Sequence, residues 1–342
     1  MVDLHVPIVG APLAGGPSTP ALAAAVSEAG GLGFLAAGYK AASVVQRELE
    51  ELRTLTARPI GLNVFFPVRE SVDEQALAGY VERMRAEGER YGVAPGEPRW
   101  TDDDWEAKLG LAARERPDVV SFTFGCPERE IVESLRASGC IIWCTVTSVA
   151  EARKATDATV DALVVQGAEA GGHQASFHDH DQDPCSLLAL LPEIRSATAT
   201  PLIAAGGISG GADVAISLRA GAVAAQIGSA LLRSTEAGTS VTHREALEAA
   251  ERPTRLTRAF TGRRARGIVN RFMLEHDAFA PRGYPEVHHV TAPIRASARE
   301  LGDADGANLW AGTGYRNAQD ASAAELVERW GHELGASGDA RG

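Results

Sequence analysis

The chain has 342 residues, 45% of them hydrophobic, which is enough to bury a large core in one barrel-sized domain or in two ordinary domains. Its 45 acidic and 33 basic residues give a formal charge of -12, which provides no positive field for nucleic acid. The four cysteines form no CxxC pair, and no basic leader or long apolar run is present, so we expect a cytoplasmic protein without disulfides or a membrane span.

Short runs rich in Val, Ile and Leu alternate with Ala-rich amphipathic segments from the start of the chain. This alternation is typical of parallel strands covered by helices. The expected strands are residues 7–13, 31–37, 59–65, 118–124, 140–146, 161–167, 201–207 and 223–229. The expected helices between them are residues 19–30, 42–55, 128–139, 148–158, 186–198 and 211–221. Eight strands with intervening helices favour an α/β fold closed into a (β/α)8 TIM barrel.

The competing architecture is a doubly wound open sheet. That fold would show a GxGxxG turn after the first strand, with an acidic residue about 20 positions later. GAPLAGG at residues 10–16 does not match this pattern. In a parallel barrel the chemistry gathers at the carboxyl ends of the strands. Unusual residues occupy those ends here, namely Pro12, Asn63, Gly125, Gln166, Gly206 and Gly228.

Two segments fall outside the repeating pattern. Residues 66–117, between the third and fourth strands, predict a loop and helices on the catalytic rim. Residues 233–305, after the eighth strand, are long enough for a small cap domain. We therefore expect a barrel built from residues 1–232 and 306–342, with a cap or insert domain of residues 233–305.

The strongest functional pattern is a pair of glycine-bearing strand ends, AAGGISGGADVA (204–215) and AQIGSALL (225–232). Phosphate requires backbone N–H groups that no side chain obstructs, and Gly206, Gly207, Gly228 and Ser229 can supply them. The loops after strands seven and eight are the usual phosphate site of a barrel. Each glycine alone could simply form a tight turn, but the two loops together favour phosphate binding.

A second pattern is VVQGAEAGGHQ (164–174), in which an apolar strand runs into a glycine-rich turn. An imidazole titrates near neutral pH, so His173 at this strand end could act as a base or pair with an anion. Gln166 could exchange hydrogen bonds with the edge of a heterocyclic ring, or could be a polar plug of the barrel interior. Position beside the phosphate loops distinguishes His173 from the other eight histidines.

Three further groups have both a chemical and a structural interpretation. The segment FHDHDQD (177–183) carries nitrogen and oxygen donors that could bind a divalent metal, but a solvated loop is favoured and we expect no metal. Cys126, after the fourth strand, could be a nucleophile but is favoured as a small wall residue, while Cys140 and Cys144 are expected to be buried. The arginines of TGRRARG (261–267) could clamp an anionic substrate, although we favour hydrogen bonds that pin the cap to the barrel.

The ordered series GLNVF, VVQGAEAGGH, AAGGI, AQIGS and TGRRARGIVN resembles the motif series of the nitronate monooxygenase (2-nitropropane dioxygenase) family. The likeness runs from about residue 7 to about residue 314, and the ordered set is more specific than any one motif. It implies a TIM barrel with a small cap, non-covalently bound FMN and oxidation of alkyl nitronates, such as propionate 3-nitronate, by molecular oxygen. The implied partners are a nitronate and O2, with no nucleic acid or membrane and with a homodimer left open.

The resemblance also assigns site residues. It implies that His173 is the catalytic base. The residues implied to bind the cofactor are Ala11, Pro12, Leu13, Asn63, Gln166, Gly171, Gly172, Gly206, Gly207, Gln226, Ile227, Gly228, Ser229, Trp310 and Gly312. Ser229 stands where the family often has Thr, a change that keeps the hydroxyl.

Three alternatives remain at this point. The first is an FMN-dependent enoyl-thioester reductase, which would need NAD(P)H as a hydride donor. The second is a flavin-binding protein without turnover. The third is a metal-dependent hydrolase that would use the cluster at residues 178–183.

Overall fold

The computed structural model of the protein describes residues 2–339, with side chains as far as Gly335. The strands are β1 (Ile8–Gly10), β2 (Gly33–Ala36), β3 (Ile60–Phe65), β4 (Val119–Thr123), β5 (Ile141–Val146), β6 (Ala162–Gln166), β7 (Gly172–His173), β8 (Leu202–Ala205), β9 (Ala224–Ile227), β10 (Thr254–Thr257) and β11 (Ala265–Ile268). The helices are α1 (Pro20–Glu28), α2 (Ala42–Leu55), α3 (Glu74–Arg90), α4 (Trp105–Glu115), α5 (Arg129–Ala137), α6 (Val149–Asp157), α7 (Leu187–Ala197), α8 (Gly211–Arg219), α9 (Val241–Ala249), α10 (Arg271–His276), α11 (Glu286–Glu300) and α12 (Ala323–Asp339).

Eight of these strands form one parallel sheet in the order β1-β9-β8-β6-β5-β4-β3-β2. The sheet closes between β1 and β2, because Leu32 N donates to Ile8 O at 3.0 Å and Gly10 N donates to Leu32 O at 2.9 Å. Every predicted strand contains one of the eight, and the six predicted helices match α1, α2, α5, α6, α7 and α8 within two residues at each end. The predicted (β/α)8 barrel is therefore confirmed.

The strands are apolar on both faces, as expected for parallel strands covered by helices. Alternate residues of β5 show the two layers: Trp143 belongs to the apolar cluster inside the barrel, where its ring lies 5.6 Å from that of Phe34. Ile142 and Cys144 belong to the larger cluster between the barrel and its helices. The barrel interior is thus filled by side chains, which leaves the open ends of the strands as the place for a cavity.

A second structure covers the carboxyl ends of the strands. Strands β10, β11 and β7 form a three-stranded antiparallel sheet in that order. Its apolar cluster unites Tyr80 of α3, Phe260, Phe272 of α10 and Val290 of α11 with Tyr315 near the end of the chain. Helix α3, in the segment 66–117, therefore packs with the segment 233–305.

The short strand β7 connects the barrel to this cap. It follows β6 of the barrel, and it pairs with β11 so that His173 lies opposite Ala265. The pairing of His173 with Ala265 therefore joins the glycine-rich turn after β6 to the cap sheet. Within residues 2–339, no helix is both long enough and apolar enough to cross a membrane.

Candidate active site

A cavity of about 250 Å³ opens at the carboxyl ends of the barrel strands, beneath the cap. Nearly all of the residues predicted for the site line it together. These are Ala11, Pro12, Leu13, Asn63, Gln166, Gly171, Gly172, His173, Gly206, Gly207, Gln226, Gly228, Ser229, Trp310 and Gly312. Ile227 differs, because its side chain packs into the core between the barrel and the helices, while its carbonyl accepts a bond from Ala11 N at 2.9 Å.

His173 is half-buried and enclosed by aromatic rings. The centroids of Phe124, Tyr284 and Trp310 lie 5.6, 5.5 and 5.7 Å from the imidazole. Burial, together with the positive charges of Arg263 and Arg295, lowers the pKa of His173 to about 3. The imidazole is therefore neutral at physiological pH, with one nitrogen protonated and the other carrying a lone pair.

Gln166, at the end of β6, and Asn63, within β3, line the same cavity. Gln166 binds the backbone around His173, since its Nε2 donates to His173 O at 3.1 Å and its Oε1 accepts from Ala175 N at 2.8 Å. The Nδ2 atom of Asn63 donates to the hydroxyls of Ser121 and Thr123 at 2.8 and 3.0 Å. These bonds direct the amide so that its oxygen, Oδ1, is presented as an acceptor.

The glycine-bearing strand ends form a bare cradle. Gly206 and Gly207 have φ angles of +116° and +73°, which side chains rarely adopt. A Cβ at Gly206 would lie 3.0 Å from Ala170 N, and one at Gly228 would lie 3.3 Å from Ala11 Cβ. The backbone at Gly312 closes the cradle, with its N–H donating to Ser229 Oγ at 2.8 Å. The glycines therefore leave the backbone of this surface uncovered by side chains.

The neighbouring helix α8 does not contribute its N-terminus to the cradle. Gly211 N in its first turn donates to Glu333 Oε2 at 2.9 Å, and Ser209 N donates to Asp213 Oδ2 at 2.9 Å. Protein carboxylates therefore already occupy this positive helix end. The loop glycines and Ser229, at the start of the 3-10 turn Ser229–Leu231, line the cavity instead.

The predicted role of the arginine run in pinning the cap to the barrel is confirmed. Arg264 Nη2 donates to Gln182 O at 2.7 Å, and Arg266 Nε donates to Ala168 O at 2.8 Å. Arg263 donates to the carbonyls of Gln174 and Ser176, and its guanidinium lies 4.4 Å from the ring centroid of Phe124. All of these acceptors lie between β6 and α7, in the segment that carries His173.

Two of the three acidic residues of FHDHDQD, Asp179 and Asp181, are paired with arginines of the cap. Asp179 Oδ2 accepts from Arg258 Nε at 2.6 Å, and Asp181 Oδ1 lies 3.0 Å from Arg258 Nη1. A metal site here, the less favoured interpretation, would have to break these ion pairs. Within the described part of the chain, the group with metal-ligand spacing is Glu87, Glu275 and His276 in the cap. Its two carboxylates already bind Arg271.

Cys126 lies outside the cavity. Its side chain is 5% exposed and packs in the core between the barrel and the helices. A hydrogen bond with Cys144 lowers the pKa of the Cys126 thiol, but the sulfur lies in that core and not among the cavity-lining groups. The favoured interpretation as a packing residue is therefore confirmed, and Cys140 and Cys144 are buried as predicted.

Several residues of the site carried no assignment from the sequence. Tyr39 and Phe124 line the cavity with φ angles of +66° and +77°, a strained conformation for residues other than glycine. Both residues follow barrel strands, in AAGY and SFTFG. This position at a strand end is the sequence feature that could have indicated a place in the site. Thr261 and Tyr284 reach the site from the cap; Thr261 begins the TGRRARG segment, whereas no local pattern marks Tyr284.

The model of the nitronate monooxygenase family matches residues 1–332. The chain is 36% identical over 346 residues to the nitronate monooxygenase of Paraburkholderia phytofirmans. This alignment covers 98% of the chain and 93% of that protein. The structure of the present chain aligns with nitroalkane oxidase from Streptomyces ansochromogenes at a TM-score of 0.96 and 46% identity. The alignment covers 99% of this chain and 98% of that one. FabK from Thermotoga maritima, at 23% identity, 98% and 95% coverage and a TM-score of 0.76, shares the fold alone. The chain belongs to the nitronate monooxygenase family, and it is therefore an oxidoreductase.

Proposed function

We propose that the protein binds FMN in the cavity beneath the cap and catalyses the oxidation of alkyl nitronates, such as propionate 3-nitronate, by molecular oxygen. The observation that carries this proposal is the convergence of His173 and the glycine cradle on one cavity at the carboxyl ends of the barrel strands. Family membership supports the same reaction. All four cysteines are free thiols, which suits the cytoplasm as the predicted compartment.

The cavity fits an FMN cofactor. The cradle at Gly206, Gly207, Gly228 and Ser229 lines the cavity, and its backbone, which carries no side chain at the three glycines, would hold the phosphate. The Oδ1 atom of Asn63 would accept a hydrogen bond from the ring system. The remaining predicted contacts are Ala11, Pro12, Leu13, Gln166, Gly171, Gly172, Gln226, Trp310 and Gly312, all of which line the cavity. When bound, FMN would supply the electron transfer that amino-acid side chains cannot.

The surroundings of His173 suit an anionic substrate. Arg263 is 2% exposed, and its guanidinium donates to backbone carbonyls. Although Arg263 does not line the cavity, its positive charge reaches the imidazole, where it helps to lower the pKa of His173. Because a nitronate is an already deprotonated nitroalkane, the neutral His173 does not need to be a strong base. We propose that His173 orients this substrate and accepts a proton from the neutral nitroalkane when that form binds.

Oxygen consumption tests this function. The purified, FMN-loaded protein would receive propionate 3-nitronate with and without NADPH, and we expect rapid oxygen uptake that does not depend on NADPH. Oxidation of NADPH without nitronate-dependent uptake would instead support the enoyl-thioester reductase. Stoichiometric FMN binding with neither reaction would support a flavin-binding protein without turnover.

A further inference from the structure

We propose that Thr261 is a positioning residue that holds neutral His173 as the Nε2–H tautomer and so makes Nδ1 the basic atom of the site. This inference rests on the proposed function, because it assigns the atom that accepts the substrate proton. Thr261 is 1% exposed and reaches His173 from the cap, 88 positions further along the chain.

Two hydrogen bonds at the Thr261 hydroxyl determine the tautomer of His173. His173 Nε2 lies 2.9 Å from Thr261 Oγ1, and Thr261 Oγ1 lies 3.0 Å from the carbonyl oxygen of Arg263. A carbonyl oxygen can only accept, so the single hydroxyl hydrogen of Thr261 is directed to Arg263. The hydroxyl oxygen is then left to accept, and the hydrogen of the other bond must belong to His173 Nε2.

The other ring nitrogen is therefore unprotonated. With Nε2 protonated and the imidazole neutral, Nδ1 carries the lone pair. The ring lines the cavity, and Gln166 holds the backbone at His173 O and at Ala175 N. Gln166 thus sets the position of the ring, and Thr261 sets the identity of its basic nitrogen.

Only one substrate form requires this nitrogen. With a neutral nitroalkane, the bond between the α-carbon and its hydrogen breaks, the proton forms a bond with Nδ1, and the electron pair passes into the nitro group to give the nitronate. Thr261 Oγ1 continues to accept from Nε2–H in the resulting imidazolium. A nitronate has already lost that proton, so its oxidation omits this step. Loss of the tautomer should therefore affect the two substrates differently.

Thr261→Val tests the proposal with almost no change in side-chain volume. The valine leaves a buried Nε2–H without an acceptor, which favours the opposite tautomer or a turned ring. In the FMN-loaded enzyme we expect kcat/KM for neutral nitroethane to fall about tenfold or more, with that for propionate 3-nitronate within about threefold of the parent. Thr261→Ser retains the hydroxyl and should restore turnover of nitroethane.

A matched control separates positioning from general damage. Thr242 is also buried in the cap, and its hydroxyl donates to Arg299 O at 3.0 Å without contacting His173. Thr242→Val should lower both substrate activities equally, if at all. A direct readout is the 15N chemical shift of the His173 ring in the FMN-loaded protein, assigned by comparison with His173→Gln. We expect an Nε2–H pattern in the parent and in Thr261→Ser, and its loss in Thr261→Val.

Two results would overturn the proposal. One is an Nδ1–H pattern in the parent, and the other is a Thr261→Val enzyme that retains its turnover of nitroethane or loses both substrates in parallel. Failure of the proposed function would look different, because the parent itself would then consume no oxygen with nitronate. The 15N shifts would still report the tautomer in that case.

Discussion

Gln166 binds the backbone of the His173 loop at two points, seven and nine residues further along the chain. Its Nε2 donates to His173 O at 3.1 Å, and its Oε1 accepts from Ala175 N at 2.8 Å. The side chain stands at the end of barrel strand β6, so the rigid barrel sets the height of β7 above the cavity. A residue that the sequence marks as a cofactor contact therefore also holds the loop that carries the proposed base.

Gln166→Met removes both bonds while keeping the length of the side chain. We expect the segment 168–177 to exchange its amide hydrogens faster, and nitronate turnover to fall about tenfold because the imidazole is no longer held in place. Hydrogen-exchange mass spectrometry and oxygen uptake measure the two effects. The control is Gln182→Met, since Gln182 is exposed in the same region. Unchanged exchange in Gln166→Met would show that the bonds to Arg263 and β11 suffice to hold the loop.

The lowered pKa of His173 predicts that protonation of its imidazole does not change kcat/KM between weakly acidic and neutral pH. The imidazole is neutral above its folded pKa of about 3, in contrast to an ordinary histidine, which gains a proton below about 6.5. We therefore expect kcat/KM for nitronate to show no loss assigned to His173 between about pH 8 and pH 5. The measurement is initial-rate oxygen uptake at each pH with freshly added nitronate. An inflection near pH 6.5 that disappears in His173→Gln would contradict the shift.

Replacing a glycine of the cradle with alanine is expected to weaken the binding of FMN. Gly206→Ala places a Cβ 3.0 Å from Ala170 N at a φ of +116°, so the backbone must move where the phosphate is proposed to bind. We expect FMN affinity to fall about tenfold or more, measured by flavin fluorescence titration. In Gly110→Ala the new Cβ on helix α4 lies more than 4 Å from every described atom outside the backbone of its own helix and its chain neighbours, and FMN affinity should be unchanged. Equal affinities for the two variants would place the phosphate elsewhere.

Replacing the buried Gln174 with an apolar residue is expected to stabilise the folded protein. The residue is 3% exposed, and among the described residues neither Nε2 nor Oε1 of its side-chain amide has a hydrogen-bond partner. Its backbone is held separately, through bonds to Arg264 O and from Arg263 Nε. Gln174→Met removes the unpaired amide, and we expect the free energy of unfolding to rise by about 1 to 2 kcal/mol. Urea denaturation measures the change. A loss of stability would indicate that an ordered water satisfies the amide.

The parts of the fold that sequence reasoning predicted are those with a local signal. The strand with Ile142, Trp143 and Cys144 is apolar on both faces, and this pattern is readable from the letters because parallel barrel strands are buried on both sides. The glycines at 206 and 207 indicate a turn because they adopt conformations that other residues avoid. Helix α3 is different, because its place in the cap core depends on partners about 200 residues away.

The candidate site divides in the same way. His173, Gln166 and the glycine cradle all follow strands, so the rule that chemistry gathers at the carboxyl ends of barrel strands was enough to select them. Ile227 obeyed the same rule, but its side chain faces the core, since successive residues of a strand point in opposite directions. Phe124 directly follows a strand as well, yet it carries no polar group that indicates a chemical role.

The sequence by itself determined the barrel, its glycine cradle and its family resemblance, because periodicity and glycine placement act over a few residues. The tertiary structure alone decided how His173 is surrounded and protonated. Thr261, Arg263 and Tyr284 approach it from the cap, and burial among them lowers the pKa of His173 to about 3. Burial, long-range charge and the direction of a shared hydrogen depend on which distant segments pack together, and no local pattern encodes that packing.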